Sequence, residues 1–163
     1  MLTPNDLLSV SPYDWPSIGA SVFCGVIVGL ERQLRGKPVG VRTSSLITLG
    51  TYLFIHSTLL LAPGESDPAR VIGQVITGIG FLGAGVMMAR DGAVIGVTSA
   101  ATIWVLAAIG VAISLGYLWQ SVKLAILTVA ILYGVELLEQ NTKAFSRGVH
   151  ARYIAGRRRG DKN

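Results

Sequence analysis

Of 163 residues, 51% are hydrophobic and 14% charged, with a mean hydropathy of +0.57; soluble domains carry roughly a quarter charged residues, so an ordinary water-soluble domain is excluded and lipid is the expected solvent. The net charge of +5 does not point to nucleic acid, because the basic residues cluster just outside apolar runs, where membrane topology puts them. The single cysteine, Cys24, lies in an apolar run, which excludes an internal disulfide and a cysteine metal site and fits a packed core residue.

Residues 1–15 form the expected N-terminal segment. Thr3-Pro4-Asn5-Asp6 has the chemistry of a helix start, with Thr3 as N-cap and Pro4 in the first turn, so a short interfacial helix is expected there. Asn5, Asp6 and Asp14, without a cationic stretch, argue against a cleaved signal peptide. The first span is expected over 16–30, behind the belt residues Tyr13 and Trp15. Glu31 to Arg42 then has the composition of a loop, with Arg32, Arg35, Lys37 and Arg42 as cations. Span two is expected over 43–61. The acidic, turn-rich connector that follows ends in Asp67-Pro68, an N-cap and a first-turn proline for span three over 71–88. Arg90-Asp91-Gly92 predicts a tight break before span four over 97–118. Span five is expected over 122–138, and 139–163 as a basic tail in which Phe145, Val149 and Tyr153 recur at helical spacing suited to a membrane surface.

The predicted fold is therefore an all-α membrane protein, a polytopic bundle of about five transmembrane helices. Orientation follows from the cations. With the first loop inside, Arg32, Arg35, Lys37, Arg42, Arg90, Lys143, Arg147, Arg152, Arg157, Arg158, Arg159 and Lys162 share one side, and only Arg70 and Lys123 fall on the other. That bias predicts the N-terminus outside and the C-terminus in the cytoplasm.

Thr77 to Gly85 contains a literal G-x-G-x-x-G. No strand precedes it, it lies within an apolar run, and no acidic residue follows at the spacing a ribose requires, so a dinucleotide loop is rejected. In lipid, small residues allow helices close approach. Gly78, Gly80, Gly83 and Gly85 therefore predict span three as the most buried helix, packed on span one through the G-x-x-x-G of Gly25 and Gly29 or on a second protomer. Bending of span three near Gly83 is the functional alternative.

Magnesium favours carboxylate and water oxygens, and the predicted membrane interior supplies no ligand cluster of that kind. Mg²⁺ is thus a cofactor only by conjecture and none is expected. Glu31 is the most suggestive charge, at the membrane boundary beside Arg32, Arg35 and Arg42 and one helical turn from Arg35, a spacing that allows pairing. His56 and Gln74 fall at similar predicted depth, which predicts a hydrogen bond between them. Thr98, Ser99 and Thr102 open span four and are expected either to bond back to their own helix or to meet the glycines of span three. No nucleophile and base pair is evident, so an enzyme is not expected.

Gly29-Leu30-Glu31-Arg32-Gln33, Gly36 to Thr43, Gly78 to Gly85 and Ser99 to Trp104 stand in an order and spacing that resembles the MgtC/SapB family. The resemblance covers roughly 20–138. It implies a bacterial inner-membrane protein linked to magnesium homeostasis and low-Mg²⁺ adaptation, a modulator of other membrane machinery such as ATP synthase or cation transport. A small oligomeric cation transporter is the alternative. It marks Glu31, Arg32, Arg35, Arg42, Thr43, Asp91, Thr98, Thr102 and Trp104 as candidate functional positions. Expected partners are the lipid bilayer, other inner-membrane proteins and further copies of the chain, with no nucleic acid. The tail is too short for the soluble ACT-like domain of the virulence-associated members, and Ile95-Gly96-Val97 and Val105 depart from the pattern common among them.

Overall fold

In the computed structural model, residues 9–61, 67–90 and 93–141 are described. Five helices run in chain order: α1 Trp15–Leu34, α2 Val41–Leu61, α3 Pro68–Val86, α4 Val97–Ser114 and α5 Leu118–Asn141. Between α3 and α4 a small antiparallel ribbon pairs β1 Met88–Arg90 with β2 Ala93–Ile95, Ala89 opposite Val94. Helices α1, α4, most of α3 (Ala69–Val86) and most of α5 (Leu118–Leu138) are long and apolar enough to cross a membrane. The all-helical membrane fold is thus as predicted. The expected interfacial helix at Thr3 and the helical spacing of Phe145 to Tyr153 lie outside the described residues.

Local chemistry sets the helix starts. Asp14 caps α1 by accepting the Ser17 N–H at 2.8 Å, and Asp67 caps α3 by accepting the Ala69 N–H at 3.0 Å, with Pro68 in the first turn as expected. Two boundaries differ from expectation. Helix α1 continues to Leu34, so Glu31 and Arg32 are helical residues and not part of a loop. Helix α3 stops at Val86, where the ribbon takes over from the expected last turn.

The buried stripe of helix α2 explains how it fits. Ser44, Thr48, Thr51 and Tyr52 are buried while Leu46 and Phe54 are exposed, a polar-inside pattern that suits lipid on the outer face. Its hydroxyls satisfy themselves locally, Thr48 donating to the Ser44 carbonyl at 3.0 Å. Helix α2 packs chiefly on α1 and then on α4, and α4 also covers α3.

The glycines correct two expectations. Gly25 and Gly29 do mark a close approach, but to α2 and not to α3. A methyl group on Gly25 would overlap the backbone of Ser44 and Ser45, and one on Gly29 would lie 2.6 Å from the Val41 Cα. Helix α3 is not the most buried helix either; half of the apolar stretch of α4 is buried against 11% of that of α3. Gly78, Gly80 and Gly85 face open space, and only Gly83 approaches a neighbour, 3.7 Å from the Ala100 Cβ of α4. Small residues permit close packing without specifying that a neighbour is there. Helix α3 is continuous through Gly83, so it does not break at that point.

The chain forms two compact units, Met1–Val129 and Ala130–Asn163. In the first, the opening turns of α5 bury Ser121, Ala125 and Thr128 and expose Trp119. From Ala130 to Asn141, within the second, the chain continues as helix.

Candidate functional site

The polar cluster at the end of α1 is built on a stiff α1–α2 connection. Gly25 and Gly29 bring the two helices into backbone contact, and the Gln33 Oε1 accepts the Val41 N–H at 3.3 Å, tying the last turn of α1 to the first of α2. Between them Val39 is buried with φ of +67°, a conformation that β-branched residues rarely adopt and that marks stored backbone strain. Its carbonyl accepts the Ser44 hydroxyl at 3.0 Å.

On this frame stand Glu31, Arg32 and Arg35. Glu31 Oε1 lies 2.8 Å from Arg35 Nε, the pairing that the helical spacing predicted, and Oε2 lies 3.7 Å from Arg32 Nη1. The Glu31 side chain is 8% exposed and Arg32 only 4%. Arg32 Nη2 donates to the Ser99 Oγ at 3.1 Å, joining α1 to the first turn of α4. Charges so far from water are tolerated only when paired, and here the three form one ion-pair group, in which both Glu31 oxygens and the Arg32 Nε have no hydrogen-bond partner among the described residues.

The start of α4 owes its position to Gly96, whose φ of +89° is open to glycine and where a side chain would run into the Val86 carbonyl at the end of α3. Thr102 donates to the Thr98 carbonyl at 2.8 Å, the local bond expected of it, while Thr98 is exposed. Trp104, half exposed, lines an apolar groove of about 180 Å³ with Ile76 and Ile79 of α3 and Ala107 and Ala108 of α4. Arg42 and Thr43 are exposed in the first turn of α2, and no described contact carries either to Glu31. Asp91 lies outside the described residues.

The hydrogen bond expected between His56 and Gln74 does not form. His56 Nε2 instead lies 3.4 Å from the Pro12 carbonyl, its ring 5.8 Å from Tyr13 and 5.3 Å from Tyr52. Gln74 is exposed on α3. The reason is that α3 packs mainly on α4, while the segment before α1 folds over the last turns of α2 and supplies the neighbours of His56. Tyr13 and Ser57 share a hydroxyl–hydroxyl bond of 2.8 Å, and Tyr52 donates to Asp14 Oδ2 at 3.2 Å. Burial works to raise the Asp14 carboxyl, but the Ser17 N–H and the Tyr52 hydroxyl outweigh it and hold it below its ordinary value of 3.8.

Sequence reasoning passed over Asp14 as a cap, though Asp14 followed by Pro16 and Ser17 is a legible start signal. It also passed over Gly110, where a methyl group would meet the Thr48 carbonyl and the Thr51 Cβ at 2.7 Å; a lone glycine in an apolar run carries no signal for that. Cys24 is fully buried, as expected.

Known proteins resemble this arrangement in sequence. The model of the MgtC family matches residues 18–141. The protein named "Putative magnesium transporter YhiD" of Escherichia coli (strain K12) is 41% identical over 120 residues, 69% of this chain and 55% of its own length. An uncharacterized protein of Haemophilus influenzae is 40% identical over 126 residues, 72% of this chain and 52% of its own. Protein MgtC of Salmonella typhimurium (strain LT2) is 42% identical over 97 residues, 60% of this chain and 41% of its own. The chain thus spans about half the length of the curated relatives it matches. No solved structure matches it. With four apolar helices of spanning length among the described residues and a family match that covers α1 to α5 almost entirely, the chain is a bacterial membrane protein and belongs to the MgtC family.

Proposed function

We propose that this protein acts in the bacterial inner membrane, N-terminus outside and C-terminus in the cytoplasm, as a non-enzymatic modulator of other membrane machinery linked to magnesium homeostasis and low-Mg²⁺ adaptation. ATP synthase or a cation transporter is the partner class. One observation carries this reading: Glu31, the carboxylate held in the site, is taken up by Arg32 and Arg35 and so is not available to a divalent cation, which prefers uncommitted oxygen ligands. Among the described residues no three His, Cys, Asp or Glu side chains gather where a metal could sit. The buried hydroxyls of Ser21, Thr48 and Thr102 are turned to their own helices' carbonyls and do not converge on a path. The open glycine face of α3 leaves room for a second copy or a partner helix.

A second reading, a small oligomeric Mg²⁺ transporter or channel, is favoured by the name of the Escherichia coli relative at 41% identity. Reconstitution separates the two. Purified protein in liposomes that passes no Mg²⁺, together with recovery of a defined membrane complex from native membranes, supports modulation. Mg²⁺ flux that Glu31→Ala abolishes supports transport and refutes modulation.

A further inference from the structure

The segment Gly36 to Thr43 joins α1 to α2 and takes no part in the Glu31 group, yet it is tied down along its length. The Lys37 N–H donates to the Arg32 carbonyl at 2.9 Å and the Ser44 N–H to the Gly40 carbonyl at 3.0 Å. Gln33 Oε1 accepts the Val41 N–H at 3.3 Å, and the Val39 carbonyl accepts the Ser44 hydroxyl at 3.0 Å. Val39 is buried at a φ of +67°, a conformation that persists only where the surroundings over-determine it. The turn therefore holds whatever it presents in a fixed place.

What it presents is positive charge above an apolar face. Lys37 and Arg42 are exposed, and neither side chain has a hydrogen bond or ion pair among the described residues. On α1 the leucines that precede them, Leu30 and Leu34, are 47% and 78% exposed, and on α2 Leu46, one helical turn beyond Arg42, is 69% exposed. These leucines lie off the buried stripes of both helices. Water suits the two cations and not the leucines, and hydrocarbon suits the leucines and not the cations.

We propose that the α1–α2 turn binds an anionic phospholipid, its headgroup on Lys37 and Arg42 and its acyl chains along Leu30, Leu34 and Leu46. Charge complementarity selects this occupant. An acidic protein segment would meet the cations and leave the leucines uncovered. A zwitterionic lipid would cover the leucines and bring its own cation to the two already there. A lipid with a net negative phosphate satisfies both halves, since cations just beyond an apolar stretch attract anionic headgroups and a guanidinium matches the phosphate oxygens. Arg32 and Arg35 are engaged with Glu31 and are not part of this surface. The inference stands whether the protein modulates a partner or moves an ion.

The test is native mass spectrometry and thermal unfolding of the full chain, delipidated in a neutral detergent. The probes are dioleoylphosphatidylglycerol and, with the same acyl chains and no net charge, dioleoylphosphatidylcholine. Wild type is expected to bind the anionic lipid more tightly and to be stabilised by it more, a preference that added salt reduces. One cation at headgroup level contributes a factor of about five, so Lys37→Gln and Arg42→Gln each lower the preference about fivefold and the double variant lowers it further. Arg70→Gln and Lys123→Gln, which remove exposed cations near the starts of α3 and α5, leave it unchanged. Lys37 and Arg42 are exposed, and their variants are expected to melt with wild type in lipid-free detergent. Wild type that does not distinguish the two lipids overturns the proposal, as does an equal preference in every variant, which is diffuse attraction to a basic protein. An unchanged preference in Lys37→Gln and Arg42→Gln, together with loss of a co-purifying acidic membrane protein, assigns the cations to that protein and overturns it too.

Discussion

The Arg32 guanidinium donates to the Ser99 hydroxyl across 67 residues of sequence, at 3.1 Å and fully inside the protein. It is the one described side-chain bond joining α1 to α4, and it fixes where the first turn of α4 stands relative to the charged end of α1. Ser99→Ala removes the acceptor and leaves a second guanidinium nitrogen without a partner. The expected cost is about 1–3 kcal/mol, the desolvation of an orphaned donor, measured by thermal unfolding in detergent. A double-mutant cycle with Arg32→Met should show coupling, because removing both groups spares the orphan. Strict additivity in that cycle would mean that the bond carries no energy.

Glycine substitutions separate the two glycine-rich helices. Gly25→Ala and Gly29→Ala place a methyl group against the backbone of α2, which no side-chain rotation relieves, and are expected to destabilise by about 1–3 kcal/mol. Gly78→Ala and Gly80→Ala meet nothing within 4 Å and should be neutral or slightly stabilising in the isolated protomer, since alanine favours helix. Stability in detergent checks both. Loss of activity in cells from Gly78→Ala with no loss of stability would place a partner on the open face of α3.

The contrast shows what the sequence makes legible. Cap chemistry is local, so Asp67-Pro68 announced the start of α3 from neighbouring residues alone. The G-x-x-x-G of Gly25 and Gly29 announced a close approach but not its partner, because spacing on one helix reports which face is small and nothing about what lies opposite. For the same reason the glycines of α3 suggested burial that the fold does not provide. Glu31 and Arg35 were readable because they lie on one helical turn. Ser99 as the partner of Arg32, and the seating of His56 among Pro12, Tyr13 and Tyr52, depend on how separate segments dock, which no periodicity encodes.

Acid should loosen the start of α1 at a definite point. The Asp14 carboxyl lies below its ordinary value of 3.8 in the folded protein, burial being outweighed by the Ser17 N–H and the Tyr52 hydroxyl. A depressed folded pKa contributes stability that is complete above the unfolded value and lost as pH falls through the folded one. This contribution is therefore constant from neutral pH to about pH 4, near the ordinary value, and disappears below it. Asp14→Asn should remove that acid-side step and leave the neutral-pH slope unchanged. Hydrogen exchange of the first turn of α1, read from pH 6 to pH 3, checks the prediction; an acid step that persists in Asp14→Asn would refute it.

The two partners of the Glu31–Arg35 pair should not cost the same. Glu31, 8% exposed, is the single described anion facing two cations, whereas Arg35, 21% exposed, lies closer to water. Glu31→Gln takes the carboxylate away from the deeply buried Arg32 guanidinium as well as from Arg35, and breaking a buried pair in this way costs about 3–5 kcal/mol. Arg35→Gln leaves Glu31 with Arg32 still at 3.7 Å and removes one of two competing cations, so its cost should be distinctly smaller. The double variant should be less destabilised than the sum of the two, because once Glu31 is neutral Arg35 only adds repulsion toward Arg32. Melting temperatures of the three variants in one detergent decide the order. If Arg35→Gln proves as costly as Glu31→Gln, then Arg35 and not Glu31 organises this end of α1, and the shared-carboxylate account of the site fails.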